Sequence, residues 1–378
     1  MAVRLQSSMT IIITDEDVRR LLPMRDCIEA MRTAFRDFAD GSAVNRPRMR
    51  YLAKHPDPDR RYLANVHVGA VPSAGIACVR AGSQIMRPPN AARERRTYEN
   101  PQAFNWGFVI LFSIETAEPL ALLHEFHLSG MRVGATTAMA VDEIARPDAQ
   151  TLGLFGTGKQ ARSALEAIAL VRPIRQVNVY SPSSEHRALF ARDMTRDLAR
   201  DGLAVVAVSD PRDAVRGAEV ICCATTAMSP VFDGDWLEDG QLVVSIANSD
   251  VTNKRSEVDR RTYERATCVI VNDWESVIDN DQTELLEPIQ AGVISRDNVH
   301  ELGELLNGEV TVKQKPRDEA QKGIVYYKNN SGLAIQFAAA GGILYRKAMA
   351  EGSNKVIPTE WLGSDLSAYY KAGFRPSP

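Results

Sequence analysis

The chain has 378 residues, enough for two domains of ordinary size, each with its own core. At 44% hydrophobic, 25% charged and a net charge of −3 it has an average globular composition and no global field to recruit nucleic acid or an anionic membrane. No apolar run approaches the roughly 18–20 residues that span a bilayer, and the N-terminus lacks a basic-then-apolar leader.

Five cysteines form neither a C-x-x-C motif nor a dense framework, and Cys222 and Cys223 sit inside an apolar run, which predicts buried thiols in a reducing cytoplasm. His124 and His127 make an i, i+3 pair without carboxylates around it, so no metal site is predicted there. Arginines gather twice, at Arg46, Arg48 and Arg50 and at Arg93, Arg95 and Arg96; the second group is expected to be solvated loop charge.

In chain order, Met9 to Ile13 is strand-sized, and Thr14 with Asp17 forms a capping box that opens a helix through Leu21. Arg25 to Phe38 places Ile28, Met31, Ala34 and Phe35 on one helical face. Short β-like pieces follow at Tyr62–Val71, Gly75–Ala81, Phe108–Ser113 and Pro119–His124, the last two as a hairpin, with an Arg-rich surface loop expected from Met86 to Trp106. After Arg132 strands and helices alternate: strands at Thr151–Phe155, Val177–Tyr180, Val205–Val208, Val220–Ala224, Leu242–Ile246 and Cys268–Val271, with helices such as Ala161–Val171 and His186–Leu198. Short buried strands alternating with helices predict a Rossmann-type, doubly wound parallel sheet. Leu333 to Ala350 is an Ala-rich helix expected to pack back on the β-rich N-terminal half. The predicted division is therefore 1–127 with 320–378 as a β-rich unit, and 128–319 as the parallel-sheet unit.

The most informative stretch is Thr151-Leu-Gly-Leu-Phe-Gly-Thr-Gly-Lys-Gln-Ala161, which passes from a strand into a helix. Gly156 and Gly158 let the backbone approach a pyrophosphate, and the helix beyond offers free N–H groups and its positive dipole end. Ala161 replaces the third glycine, a change that the helix–strand contact tolerates. The predicted cofactor contacts are Gly156, Thr157, Gly158, Lys159 and Gln160, with Thr225 and Asn248 beyond later strands. The second strand ends in Tyr180-Ser181-Pro182-Ser183 with no acid at its tip, so Ser181, Ser183 and Arg187 suit a 2′-phosphate, while Glu185 remains available for a ribose; the cofactor is NAD or NADP.

Two segments resemble the ornithine cyclodeaminase/μ-crystallin family over about residues 10 to 350. One is Leu128-Ser-Gly-Met-Arg-Val-Gly-Ala-Thr-Thr-Ala-Met-Ala140 followed by Gly-Thr-Gly-Lys-Gln-Ala; the other is Pro230-Val-Phe-Asp-Gly-Asp-Trp-Leu237, then Ile246-Ala-Asn-Ser-Asp250 and Lys254-Arg-Ser-Glu-Val-Asp259. The resemblance implies a homodimer joined through the β-rich unit, which also binds a small carboxylate-bearing substrate, and a dinucleotide on the parallel-sheet unit, its nicotinamide facing that substrate. It implies that Arg132 grips that carboxylate, as a guanidinium's two parallel donors suit. Arg48 matches a second such arginine best, with Arg46 and Arg50 close enough to compete, and Asp250 matches an acid that acts at the substrate amine.

Departures from the family pattern bear on the substrate. Ile76-Ala-Cys-Val-Arg80 carries arginine where the family has lysine; Arg80 can orient and polarise but does not readily exchange a proton. Leu63-Ala-Asn-Val-His67 lacks the acid of ornithine-deaminating members, and Phe337 stands where an aspartate is common. These changes point away from ornithine and toward an NAD(P)-dependent oxidoreductase on an amino acid or imine, with Arg80 and Asp250 as the catalytic pair. An ammonia lyase that recycles NAD and a non-catalytic NADP-dependent binding protein are the alternatives.

Overall fold

In the computed structural model, residues 9–88, 97–99, 106–199, 202–250, 254–316, 319 and 321–366 are described. The capping box forms as predicted: the Thr14 hydroxyl accepts from the Asp17 N–H and the Asp17 carboxylate accepts from the Thr14 N–H, which starts helix α1 (Asp15–Leu21). Helix α2 (Met24–Ala39) follows after Pro23 and buries Ile28, Met31, Ala34 and Phe35.

The first sheet is built from β1 (Met9–Ile13), β2 (Val44–Asn45), β3 (Met49–Lys54), β4 (Arg61–Val71), β5 (Ile76–Arg87), β6 (Thr97–Glu99), β7 (Trp106–Ser113) and β8 (Pro119–His124). Along the main path the order is β1-β8-β7-β5-β4-β2, with β3 on β4 and β6 on β5. Two expectations change here. The strand predicted to stop at Ala81 runs to Arg87, and the expected loop from Met86 to Trp106 contributes β6, paired antiparallel to β5. Polar Ser83, Gln84 and Arg87 hid the extension, because that end of the sheet does not cover the apolar core. The arginines at 93, 95 and 96 lie outside the described residues.

The second sheet begins after helix α3 (Phe126–Ile144) with β9 (Thr151–Phe155), helix α4 (Lys159–Val171), β10 (Gln176–Tyr180), helix α5 (Ser184–Leu198), β11 (Ala204–Ala207), β12 (Val220–Cys223) and β13 (Leu242–Ser245). It continues through β14 (Ala266–Val271), β15 (Val299–Glu301) and β16 (Ile324–Lys328). All eight strands are parallel in the order β11-β10-β9-β12-β13-β16-β14-β15. The five that begin it are the Rossmann arrangement, with the crevice at the reversal between β9 and β12. Strand β16 is the correction: residues 324–328, assigned by sequence to the N-terminal unit, lie inside the parallel sheet between β13 and β14. Its five residues are all buried, Lys328 included, with Nζ 3.1 Å from the Ser245 hydroxyl and 3.5 Å from the Glu284 carboxylate. A tyrosine pair and a buried lysine masked a central strand.

The final strand β17 (Val356–Pro358) returns to the first sheet beside β1. Before it, the helix Ala334–Ala350 packs on α2, β4 and β5, as its apolar, Ala-rich face predicts. One cluster of buried residues therefore runs from this helix through α2 and α3 to α4 and the parallel sheet. That continuity fixes the cleft between the two sheets.

Candidate active site

The turn after β9 has the geometry that a dinucleotide needs. Gly156 has φ +105°, and a Cβ there would sit 2.4 Å from the Ala224 carbonyl oxygen, so only glycine fits. At Gly158 a Cβ would meet nothing within 4 Å, because the space beside it is the groove itself. No side-chain oxygen caps α4, which leaves its first-turn amides available to an anion. One detail differs from expectation: the Gly156 N–H already donates to the Tyr180 carbonyl at 2.9 Å, so this amide is taken up within the fold.

A groove of about 710 Å³ runs from this turn to the tip of β10, lined by Gly156, Thr157 and Gly158 and by Ser181, Ser183 and His186. Ser183 lines it but also caps α5, accepting from the His186 N–H at 3.2 Å. Arg187 is not in the lining; its guanidinium turns back to the Ser181 carbonyl at 2.8 Å, over the Tyr180 ring. The groove opens onto a second cavity of about 490 Å³ through shared walls at Lys159, Gln160 and Thr225.

This second cavity lies over one face of the first sheet. Register puts Arg50 opposite Asn65 and His67 opposite Arg80, so alternate residues of β3, β4 and β5 point the same way, with Arg48 just ahead of β3. Arg132 comes from the facing helix α3, and Asn248 and Asp250 come from the loop after β13. Arg48 and Arg50 both line the cavity, whereas Arg46 is exposed and does not.

Each charged group is positioned by neighbours. Arg80 donates to the buried Glu125 at 2.8 Å, and Arg50 donates to Asp250 and, at 2.5 Å, to the Asn65 amide oxygen. Arg48 donates to Asn280 at 3.3 Å and Arg132 to the Gln336 amide oxygen at 3.0 Å. The Arg132 and Arg80 guanidiniums stand 5.2 and 6.0 Å from the centre of the Phe337 ring, so both cations share this apolar neighbour. Gly332 leaves room for Arg132: a Cβ at residue 332 would be 2.6 Å from the guanidinium.

Burial, and then the charge of Arg80, push the Arg132 guanidinium down to about 10. Burial opposes the Glu125 carboxylate, yet Arg80 overrides it and holds the group below the ordinary range. Lys159 is lowered chiefly by burial; its ammonium donates to the Phe126 carbonyl at 3.1 Å and sits 4.0 Å from that ring's centre. His67 is held well below its ordinary range, first by burial and then by Arg80, Arg48, Arg132 and Arg50; its Nδ1 is buried without a hydrogen-bond partner.

His67 thus stays neutral in the fold while the unfolded chain protonates it near its ordinary value of about 6.5. Stability should fall by up to about 1.4 kcal/mol per pH unit from this residue below that point, and not above it. In His67→Gln, urea unfolding across that acid range is expected to show a shallower loss than the parent. An unchanged slope contradicts the assigned environment.

Sequence reasoning missed Glu125 and Glu257. The buried Glu257 carboxylate accepts from the Thr225 N–H and hydroxyl at 2.6 and 2.7 Å, from the Ser245 hydroxyl at 2.9 Å, and from the Ile246 and Ala247 N–H groups at 2.9 and 2.8 Å. It ties the ends of β12 and β13 together and accepts the Thr225 hydroxyl's hydrogen bond, while Thr225 itself lines both cavities. Its signal was present in Lys254-Arg-Ser-Glu-Val-Asp259, a charged run that sequence alone leaves without a partner. Asn248 lines the cavity, donates to the Ile246 carbonyl at 3.0 Å, and has a buried Oδ1 without a hydrogen-bond partner.

A glycine turn at the Rossmann crevice, opening onto an arginine-lined cavity, defines a protein of the dinucleotide-binding fold. Residues 8–352 match the Ornithine cyclodeaminase/mu-crystallin family, and the chain belongs to that family. It is 28% identical to an uncharacterized cyclodeaminase, y4tK, of Sinorhizobium fredii over 341 residues, 89% of this chain and 95% of that protein. It is also 28% identical to Delta(1)-pyrroline-2-carboxylate reductase of Bacillus cereus over 350 residues, 92% of this chain and 99% of the other. Among solved structures it is similar to Thermococcus litoralis Delta(1)-pyrroline-2-carboxylate reductase in complex with NADH and L-proline: TM-score 0.76, 24% identity, 91% and 98% of the two chains covered.

Proposed function

We propose that the protein is an NAD(P)-dependent oxidoreductase that acts on the C=N bond of an imino acid or, in reverse, on the CH–NH of an amino acid. The observation that carries this reading is the continuity of the glycine-turn groove with the arginine-lined cavity at Lys159, Gln160 and Thr225. Its relatives include reductases of a cyclic imino acid, one of them solved with NADH and L-proline.

When bound, the dinucleotide supplies or accepts the hydride at nicotinamide C4. Gly158 and the first-turn amides of α4 hold its phosphates. Arg132 holds the substrate carboxylate, and Arg80, braced by Glu125, orients and polarises the imine end. Asp250, or a water beside it, delivers the proton that converts the reduced nitrogen to an amine. Near-attack placement of the imine carbon is the main catalytic device. The absence of acid at the tip of β10 supports NADP, with Ser181 and Ser183 facing the 2′-phosphate and Arg187 in reserve behind them.

The working unit is proposed to be a homodimer. On the face opposite Arg80, Val68, Val79, Ile110 and Leu122 form a cross-strand apolar row, and Val68 and Phe108 are exposed at 44% and 42%. The substrate and dimerisation unit comprises the first sheet and the C-terminal helix, and the dinucleotide unit extends from 128 through Lys328. Five buried, unpaired thiols suit a reducing cytoplasm. NADPH and NADH should each be mixed with a panel of 2-oxo acids and amines; oxidation by at least one combination is expected, and none by any combination refutes the reading.

A further inference from the structure

The loop after β13 brings Ile246, Ala247, Asn248 and Asp250 to the wall of the substrate cavity. Residues 246–249 belong to neither helix nor strand, so their buried backbone groups need partners outside regular secondary structure. Three buried charged side chains supply several of them. Glu257 accepts from the Ile246 and Ala247 N–H groups at 2.9 and 2.8 Å. The Lys328 ammonium donates to the Ala247 carbonyl, and the Glu284 carboxylate accepts from the Ser249 N–H at 2.9 Å. The backbone is thus held by charge on both sides of Asn248.

These contacts are linked to one another. Lys328 Nζ lies 3.1 Å from the Ser245 hydroxyl, which donates to Glu257 at 2.9 Å. It also lies 3.5 Å from Glu284 Oε1, the oxygen that accepts from Ser249. The Ser249 hydroxyl fixes the far end, donating to the Arg255 carbonyl at 3.0 Å and accepting from the Arg255 N–H at 2.8 Å. None of Glu257, Glu284 and Lys328 lines the cavity itself.

Stability alone does not call for such an arrangement. Burying each charge is costly, and replacing a buried ion pair by apolar groups is often neutral or stabilising. Charge-assisted hydrogen bonds are roughly twice as strong as neutral ones, which suits them to hold an irregular segment in one geometry. The segment held here is the one that carries Asn248 and Asp250.

We infer that Lys328, Glu284 and Glu257 are positioning residues for the reaction: they lock residues 246–249 so that Asp250 is presented to the reacting nitrogen. Lys328 is the pivot, because it binds the loop, Ser245 and Glu284 at once. The inference rests on the proposed oxidoreductase reading and deepens it. Misplacing a reacting group by about 1 Å is enough to slow a reaction about a hundredfold.

Lys328→Met, Asp250→Asn and the double variant test this as a cycle, with kcat read on the fastest combination of 2-oxo acid, amine and nucleotide. Each single change is expected to lower kcat at least about tenfold, and the double variant to fall no more than about threefold below the less active single. A residue that only stabilises the fold would multiply its loss with that of Asp250→Asn. Cooperative melting above the assay temperature shows that Lys328→Met is folded. If it is not, Glu284→Gln takes its place, with a loss of at least about threefold and the same non-additivity expected. A parent-like kcat in either single variant, or losses that multiply, overturns the inference and leaves the oxidoreductase reading intact. If no combination turns over, that reading fails, and hydrogen exchange across residues 245–250 decides the positioning claim. Slow exchange in the parent that quickens in the Lys328 or Glu284 variant, with β9 unchanged, keeps it; fast exchange in the parent, or equal rates in both, overturns it.

Discussion

Arg132→Met should cut kcat/KM by about a hundred- to a thousandfold while leaving nucleotide affinity unchanged. The guanidinium faces the cavity from α3 and is the group best placed to form two parallel hydrogen bonds to a carboxylate. Losing such a desolvated pair costs about 3–4 kcal/mol in transition-state binding. Stability should move the other way. Burial and Arg80 push the Arg132 guanidinium down to about 10, so the free fold disfavours this charge. Its neighbour loses little, because the Gln336 amide oxygen also accepts from the Leu333 N–H at 2.9 Å. Arg132→Met should therefore melt no lower than the parent. A variant that unfolds easily yet keeps turnover marks Arg132 as a structural group and removes it from the site.

The second large effect is expected at the glycine turn, where two substitutions separate folding from binding. Gly158→Ala adds a Cβ that meets no protein atom within 4 Å, so melting without nucleotide should match the parent. That Cβ projects into the groove proposed to hold the phosphates, and affinity for NADPH and NADH should fall at least about tenfold. Gly156→Ala is different: φ +105° strains any side chain, and the Ala224 carbonyl lies 2.4 Å from the new Cβ. Both stability and nucleotide affinity should drop, with about 1–3 kcal/mol from backbone strain alone. Fluorescence titration of each variant checks the pair. Unaltered nucleotide binding in Gly158→Ala places the dinucleotide elsewhere.

The parallel sheet was legible because its strands obey simple rules. Thr151–Phe155 is a short apolar run that enters a glycine turn, and β10 to β14 repeat that rhythm with few polar interruptions. Strand β16 was not legible: Tyr326, Tyr327 and Lys328 do not advertise a central strand, and it takes tertiary partners to bury Lys328, at Ser245, Glu284 and the Ala247 carbonyl, and the Tyr327 hydroxyl, at Asn272. Strand β3 was equally silent, since Met49, Tyr51 and Leu52 remain exposed and show no buried alternation.

The site divides along the same line. Gly156, Gly158 and Arg132 could be named from local motifs. Asp250 and Arg80 could be named too, but not their salt-bridge partners, since Arg50–Asp250 and Arg80–Glu125 join residues 200 and 45 positions apart. Long-range pairing of that kind decides whether a charge is free to react, and one-dimensional spacing carries no information on it. The choice among three neighbouring arginines shows the limit well. Strand register around β3 and β4 brings Arg48 and Arg50 to the cavity and turns Arg46 outward.

The most direct test of the whole account follows the hydride. NADPH or NADH deuterated at C4 is incubated with the protein, a 2-oxo acid and an amine, and the product amino acid is examined by mass spectrometry and proton NMR. The account predicts deuterium bonded to the α-carbon of that amino acid, carried over from the nucleotide. Product amino acid with only solvent hydrogen at that carbon, or nucleotide left unoxidised throughout, contradicts it.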